Sequence, residues 1–574
     1  MHTCKRAKDD IWLKQNKANG MCSPTVLYSW VSSSPAPARE RMTEMMMAAT
    51  QSVWDSQIPT PVTLSQDDRF GEKRSSSSIH KVLAIEIVKV TAVSTIQDMS
   101  GLKEYIYTSS SRWDMEAVKE ELKKQCRLAG PIILTNLLQS LIQLTSVMFV
   151  GHLSTLALSS ASIASSIATV TGFSVLAGMG SALETLCGQA YGAGQYRLVG
   201  LYMHRGLFVL NAIAIPIAFL WANMERVLLA LGQDEAISKK AGEYSLWLIP
   251  SLFAYATAQP LLKFLQAQSI VIPLMLSLVS TFCCNIPICW FLIYKLDLGN
   301  KGAALATCIS SWMNVLQLAI YMVFAPSCEK TRTRFSTKAL HDIKGFVKLA
   351  VPSALMMCLE WWSYEALVLL SGWLPNPELE TSVISICYST AALAFMIPAG
   401  LGAMASIRVA NELGAGRPDA ARRAVSTAAV VAACEAILVF TTFMSLRNVI
   451  GLAYSQEEAV VTYISRLMPV LAASTILDSI QGLLSGILRG CGRQSIGAYI
   501  NLASYYGVGL PLAFVMAFVL HVKAKGLWMG INGGAVVQLI ALVAITYRTN
   551  WNKEACEAMA RVNSCQAEQE PLLH

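Results

Sequence analysis

Two carboxylates stand where water is scarce. Glu360 lies inside the apolar segment Met356-Met357-Cys358-Leu359-Glu360-Trp361-Trp362, and Asp478 inside Ser474-Thr475-Ile476-Leu477-Asp478-Ser479-Ile480-Gln481. A charge at bilayer depth costs at least about 2.5–3.5 kcal/mol on insertion scales, so an acid kept there is a functional candidate. Neither acid has a Lys or Arg within one helical turn. A carboxylate short of both water and a cation is costly when ionised, which suits it to take up and release a proton. Glu360 and Asp478 are therefore the candidate proton-coupling pair. The alternative is that each is a neutral acid hydrogen-bonded across a helix interface. Tyr364, one turn beyond Glu360, and Gln481, at i+3 from Asp478, are polar neighbours on the same helices. Trp361, Trp362 and Tyr364 offer aromatic faces to an organic solute, and Gln481 is a further candidate cavity residue.

Other chemistries find less support. Glu435 in Ala433-Cys434-Glu435-Ala436 is open between a third proton site and a lipid or interhelix contact, whereas Glu184 and Glu412, near helix ends, read as structural hydrogen-bonding groups. The seven histidines (2, 80, 152, 204, 341, 521 and 574) fall at the ends of apolar runs or in tails, so neither a metal site nor a general base at depth is expected. Fifteen cysteines without a C-x-x-C pair give no disulfide framework. The segment from Gly188 through Gly192 and Gly194 resembles a phosphate cradle. It follows an apolar run rather than a strand, and the chain has no Gly-Lys dipeptide. Gly188, Gly192 and Gly194, with Gly414 and Gly416, are read as structural, permitting tight turns and close helix packing. No cofactor, metal or enzymatic activity is expected.

The elements that must position these acids are membrane helices. The chain is 54% hydrophobic and 14% charged, against about 25% charged in soluble domains. The surplus of 45 basic over 37 acidic residues is scattered between apolar runs, which excludes a nucleic-acid binder. Between residues 128 and 547 we read twelve apolar runs of about 19–30 residues, each long enough to span a bilayer. Basic residues collect on one side (about 20 against about nine), placing both termini in the cytosol. Residues 1–114 carry Pro and Ser clusters and no spanning run, and no apolar signal segment follows the N-terminus. They are expected to be a disordered extension without chemistry, with Met115 as an alternative start.

The halves repeat at a spacing of about 222 residues. Leu128-Ala129-Gly130-Pro131 overlays Leu349-Ala350-Val351-Pro352, Tyr191-Gly192-Ala193-Gly194 overlays Leu413-Gly414-Ala415-Gly416, and Gln259-Pro260-Leu261-Leu262 overlays Gln481-Gly482-Leu483-Leu484. Six helices per half make this a parallel repeat, with two lobes facing each other across a cavity. We divide the chain into an N-lobe (115–335), a C-lobe (336–550) and a cytosolic tail (551–574). Glu360 overlays Gln139, a candidate cavity residue, and Asp478 overlays Ala256, so the acids belong to the second half alone. The interior is read as lacking a buried Lys or Arg cluster, which weighs against a lipid-linked or glycolipid flippase. A passive channel is the third reading.

Ala182-Leu183-Glu184-Thr185-Leu186-Cys187-Gly188-Gln189-Ala190-Tyr191-Gly192-Ala193-Gly194, Leu265-Gln266-Ala267-Gln268-Ser269 and Arg408-Val409-Ala410-Asn411-Glu412-Leu413-Gly414-Ala415-Gly416 closely resemble the plant branch of the multidrug and toxic compound extrusion family, the DETOXIFICATION proteins. The resemblance spans about residues 120–550. It implies an all-α, twelve-helix, two-lobe antiporter exporting organic solutes in exchange for protons, acting as a monomer in the bilayer. The essential acid of the seventh helix would be Glu360, and that of the tenth Asp478. Many bacterial relatives carry an aspartate in the first helix where Ser146 stands here, which disfavours sodium coupling. The short Cys187–Arg205 connection argues against citrate as substrate. Either the vacuolar or the plasma membrane fits. The tail Glu568-Gln569-Glu570-Pro571-Leu572-Leu573 matches an acidic dileucine sorting signal and leans toward the vacuole.

Overall fold

The computed structural model describes residues 115–334 and 341–567. The N-terminal extension and the dileucine stretch lie outside the described residues. Among the described residues twelve long helices form one bundle: α1 (Met115–Gly151), α2 (Leu156–Gly192), α3 (Tyr196–Ala222), α4 (Glu235–Ala267), α5 (Ile272–Lys295), α6 (Gly299–Phe324), α7 (Ile343–Ser371), α8 (Pro377–Gly414), α9 (Pro418–Leu446), α10 (Glu458–Cys491), α11 (Gln494–Val519) and α12 (Lys523–Tyr547). A thirteenth, α13 (Trp551–Ala567), follows them. Ten of the twelve are long and apolar enough to cross a membrane on composition alone. The other two, α4 and α7, dilute their apolar character with Tyr244, Tyr255 and Gln259, or with Glu360 and Glu365, the polar side chains the bundle turns inward.

Local signals start and stop the helices. Asp234 caps α4 by accepting from the Ala236 and Ile237 amides at 2.9 and 3.1 Å. Asp342 caps α7 through the Gly345 amide at 3.0 Å. At the matching ends of α2 and α8, Gly194 and Gly416 take φ of +75° and +68°, a left-handed turn that glycine enters without strain. A π-helical turn over Thr169–Phe173 interrupts α2, and two more, Leu502–Gly509 and Val515–Val519, interrupt α11 around Pro511, whose missing N–H forbids a regular ladder.

Packing repeats in the two halves. In the first, α4 packs on α2, α3 and α6, and α1 on α5. In the second, α10 packs on α8, α9 and α12, and α7 on α11. Buried polar pairs repeat as well. Ser277 donates to Asn314 at 2.7 Å between α5 and α6, and Gln538 donates to Asn501 at 2.8 Å between α12 and α11, at matching positions. The fold is thus an all-α bundle of two six-helix lobes related by a parallel repeat, as the sequence overlay predicts.

The lobes join along α1 with α8, α2 with α7, and α2 with α8. At the face carrying both ends of the bundle, α2 and α8 cross so closely that a Cβ on Gly192 would strike the Asn411 carbonyl and one on Gly414 the Gln189 carbonyl. The flanking amides close the crossing reciprocally: Gln189 donates to the Gly490 carbonyl and Asn411 to the Ala267 carbonyl, each at 3.1 Å. Gly188 leaves room for the Ala410 methyl. The tail beyond residue 550, left without structure by the sequence reading, forms α13. It docks on this face through buried Trp551, Ala555, Ala558 and Val562 and a 2.8 Å ion pair between Glu554 and Arg493.

Candidate functional site

A cavity of about 270 Å³ lies between the lobes. Helices α1, α2, α4 and α6 wall it on one side and α7, α8 and α10 on the other. The π-helical turn in α2 presents Thr169 and Phe173 to it, a re-aiming of side chains typical of such turns. Four residues singled out from the sequence line it: Gln139, Glu360, Trp361 and Gln481. Glu360 is only 9% exposed and lies against the Gln481 side chain. Asp478, one turn before Gln481 on α10, does not line the cavity but stands behind it, within electrostatic reach of Glu360 and Glu435.

Two expected cavity residues lie elsewhere. Trp362 turns away from the cavity into the α2 seam, where its indole N–H donates to the Val170 carbonyl at 3.0 Å. Tyr364 points into the second lobe, its ring 6.3 Å from Tyr388, 6.2 Å from Tyr505 and 6.1 Å from Trp528. Trp362, one residue past Trp361, is rotated about 100° around α7 and so leaves the cavity face. Behind this aromatic cluster a buried chain runs from the Tyr505 hydroxyl to Gln538 at 2.8 Å, from Gln538 to Asn501, and from Asn501 to the Met356 carbonyl at 2.6 Å. The carbonyl belongs to the turn of α7 that carries Glu360.

Among the described residues the first-lobe position that overlays Glu360 is the uncharged Gln139. At the matching depth Thr307 donates to Ser146 at 3.1 Å, Ser146 contacts Cys289 at 3.7 Å, and Ser310 donates to Asn285 at 2.8 Å. Among the described residues no group of three His, Cys, Asp or Glu could hold a metal.

Two features escaped the sequence reading. The first corrects the expectation of an interior without basic residues. Lys263 and Arg489 line the cavity and share Glu184, at 2.7 and 3.1 Å. The cations stand on α4 and α10 in different halves, so spacing along the chain could not pair them. The second is Glu365 on α7. Its carboxylate accepts from Ser166 of α2 at 3.0 Å and from Tyr388 of α8 at 3.2 Å. Ser166 and Tyr388 are 222 residues apart, so one carboxylate is held by equivalent positions of the two lobes. The rarity argument that picked out Glu360 applied equally to Glu365. Glu412 pairs with Arg408 at 2.8 Å and Arg417 at 2.9 Å, and Arg408 also reaches Glu121 at 2.7 Å.

A duplicated bundle whose lobes enclose one acid-bearing cavity is the architecture of a secondary transporter. Residues 131–291 and 352–515, one stretch in each half, match the MatE family. Protein DETOXIFICATION 16 of Arabidopsis thaliana is 51% identical over 451 residues, 79% of this chain and 93% of that protein. Protein DETOXIFICATION 14 of the same plant is 48% identical over 442 residues, 77% and 91% of the two chains. The crystal structure of the eukaryotic MATE transporter AtDTX14 aligns with a TM-score of 0.76 at 48% identity, over 78% of this chain and 100% of that one. A point mutant of the Vibrio cholerae MATE transporter VcmN shares the fold at 18% identity and a TM-score of 0.68, over 76% and 99%. The chain belongs to the MATE family of transporters and is a multi-pass integral membrane protein.

Proposed function

We propose that this transporter is a proton-coupled antiporter that exports organic solutes from the cytosol by alternating access. The observation that carries the reading is Glu360 on the cavity wall with Asp478 behind it, both in the second lobe. In the ionised state Glu360 holds a solute that also meets Trp361 and Phe173. A proton arriving from an acidic compartment neutralises the acid, weakens that hold and favours release. Each pH unit of gradient supplies about 1.4 kcal/mol per proton.

The described state has its lobes closed where α2 and α8 cross. The division at residues 335/336, cytosolic placement of that face and of both termini, and action as a monomer in the vacuolar or plasma membrane belong to the same proposal. Lys263 and Arg489 give the flippase reading a basic element, but both are tied to Glu184, and the cavity is small for a lipid-linked headgroup.

The test is ethidium efflux from bacterial cells lacking their own pumps, comparing the parent, Glu360→Gln and Asp478→Asn at equal membrane abundance. Efflux that stops on adding a protonophore and is absent in Glu360→Gln supports the reading. Efflux by Glu360→Gln at the parental rate overturns it.

A further inference from the structure

The cavity is lined by two cations as well as by Glu360, and only the acid enters the mechanism above. We propose that Lys263 and Arg489 form a subsite for an anionic group, a carboxylate, sulfonate or phosphate, on the transported solute. This inference rests on the cavity being the transport route.

Four observations point to such a ligand. First, two cations share the hydrogen-bonding capacity of one carboxylate, Glu184, while Glu360 acts on Arg489 only through space. Second, all three groups line the cavity, and the cations are the more accessible: the Lys263 and Arg489 side chains are 14% and 15% exposed, that of Glu184 3%. Third, their donors are unspent. Arg489 uses only Nε on Glu184, and Lys263 makes one hydrogen bond, to the same group; neither has another protein acceptor among the described residues. The free edge of a guanidinium beside an ammonium matches the oxygens of a carboxylate or phosphate. Fourth, in the 222-residue overlay Lys263, Arg489 and Glu184 correspond to Ser485, Ala267 and Ser406, so the repeat does not duplicate the charged group.

Phe173 and Tyr255, in edge-on contact at 5.0 Å, line the same cavity and supply an apolar wall. Together these features select a small aromatic or otherwise amphipathic acid, or a zwitterion whose cationic end meets Glu360. Glu184 joins α2 to α10 across the lobes through Arg489. A ligand anion competes with Glu184 for that guanidinium, so loading the subsite loosens an interlobe tie.

The experiment uses the purified full chain and three probes sharing a hydroxyphenyl group: 4-hydroxycinnamate, 4-hydroxycinnamamide and tyramine. Binding is measured by calorimetry in detergent without a gradient, and transport in proteoliposomes with one. The expected result is at least tenfold tighter binding of the acid than of its amide. Lys263→Gln and Arg489→Gln should lose that preference, and Glu184→Gln, which removes the competing anion, should bind the acid about threefold or more tighter. A merely structural triad would not yield tighter binding on losing Glu184. If Arg489→Gln does not fold, Lys263→Gln and Glu184→Gln decide. Equal binding of acid and amide overturns the subsite, even if tyramine is driven by the gradient and the antiporter reading survives. Acid preference in detergent without gradient-driven transport of any probe supports the subsite and counts against the antiporter.

Discussion

The two lobes share a backbone plan and a helix-packing scheme but differ in what they bury. At matching positions the first lobe holds Gln139, Ala256, Gln143, Thr281 and Ala304, whereas the second holds Glu360, Asp478 and the Tyr364–Tyr505–Trp528 cluster. Duplication kept what closes the bundle. The reciprocal glycine contacts of α2 and α8 and the Ser277–Asn314 and Asn501–Gln538 pairs occur in both halves. The Glu360–Asp478 pair occurs in one. Architecture is symmetric because packing energy depends on shape. Coupling can be asymmetric because one titratable centre suffices to bias a two-state rocking motion.

The sharpest way to break this comparison is to move the acid. The double variant Gln139→Glu/Glu360→Gln places a carboxylate at the equivalent position of the wrong lobe, without Asp478 or the tyrosine cluster behind it. Transport by that variant should stay more than tenfold below the parent, and restored transport would mean the lobes are interchangeable. Next in size are the shared crossings. Gly192→Leu and Gly414→Leu each drive a side chain into a backbone carbonyl of the other lobe, and each should cost about 3 kcal/mol or more. Monodispersity on gel filtration should collapse in both, and a large difference between them would deny the symmetry.

A smaller effect separates structure from coupling. Asn314→Leu and Gln538→Leu each orphan a buried partner at a cost of about 1–3 kcal/mol, so thermal-unfolding midpoints should drop similarly. Only Gln538→Leu, whose network reaches the turn bearing Glu360, should also shift the pH profile of transport.

The smallest effect lies outside the bundle. Burial pushes the Glu554 carboxyl of α13 above the ordinary carboxylate range, against the pull of Arg493. A carboxyl raised on docking favours the docked state at acidic pH and loses that contribution as pH rises through its docked value. Protection factors over residues 551–567, with exchange corrected for its intrinsic base-catalysed rate, should therefore be higher at pH 5 than at pH 8, and Glu554→Gln should flatten the difference.

All twelve spans were legible in the apolar runs, because a bilayer demands length and hydropathy from every helix. Their ends were less so. α1 begins at Met115 rather than near 128, and α8 runs to Gly414 rather than 407, because helices continue past the hydrocarbon with polar turns. α13 was missed since it is short and only half apolar, and its stability comes from docking. Glu360, Trp361, Gln139 and Gln481 were readable as cavity residues from rarity and from the overlay. Trp362 and Tyr364 were misplaced because adjacency in sequence says nothing about which way a helix is rotated. The Lys263–Glu184–Arg489 group was unreadable, since its members meet only when α2, α4 and α10 pack together.

The most direct test of asymmetric coupling is proton movement itself. Proteoliposomes holding a trapped pH dye, with no imposed pH gradient, are given an outward gradient of the transported solute, and lumenal pH is recorded. Asymmetric coupling predicts solute-driven proton entry in the parent and in Gln139→Leu, and none in Glu360→Gln. Proton entry in Glu360→Gln, or its loss in Gln139→Leu at normal folding and abundance, would contradict it.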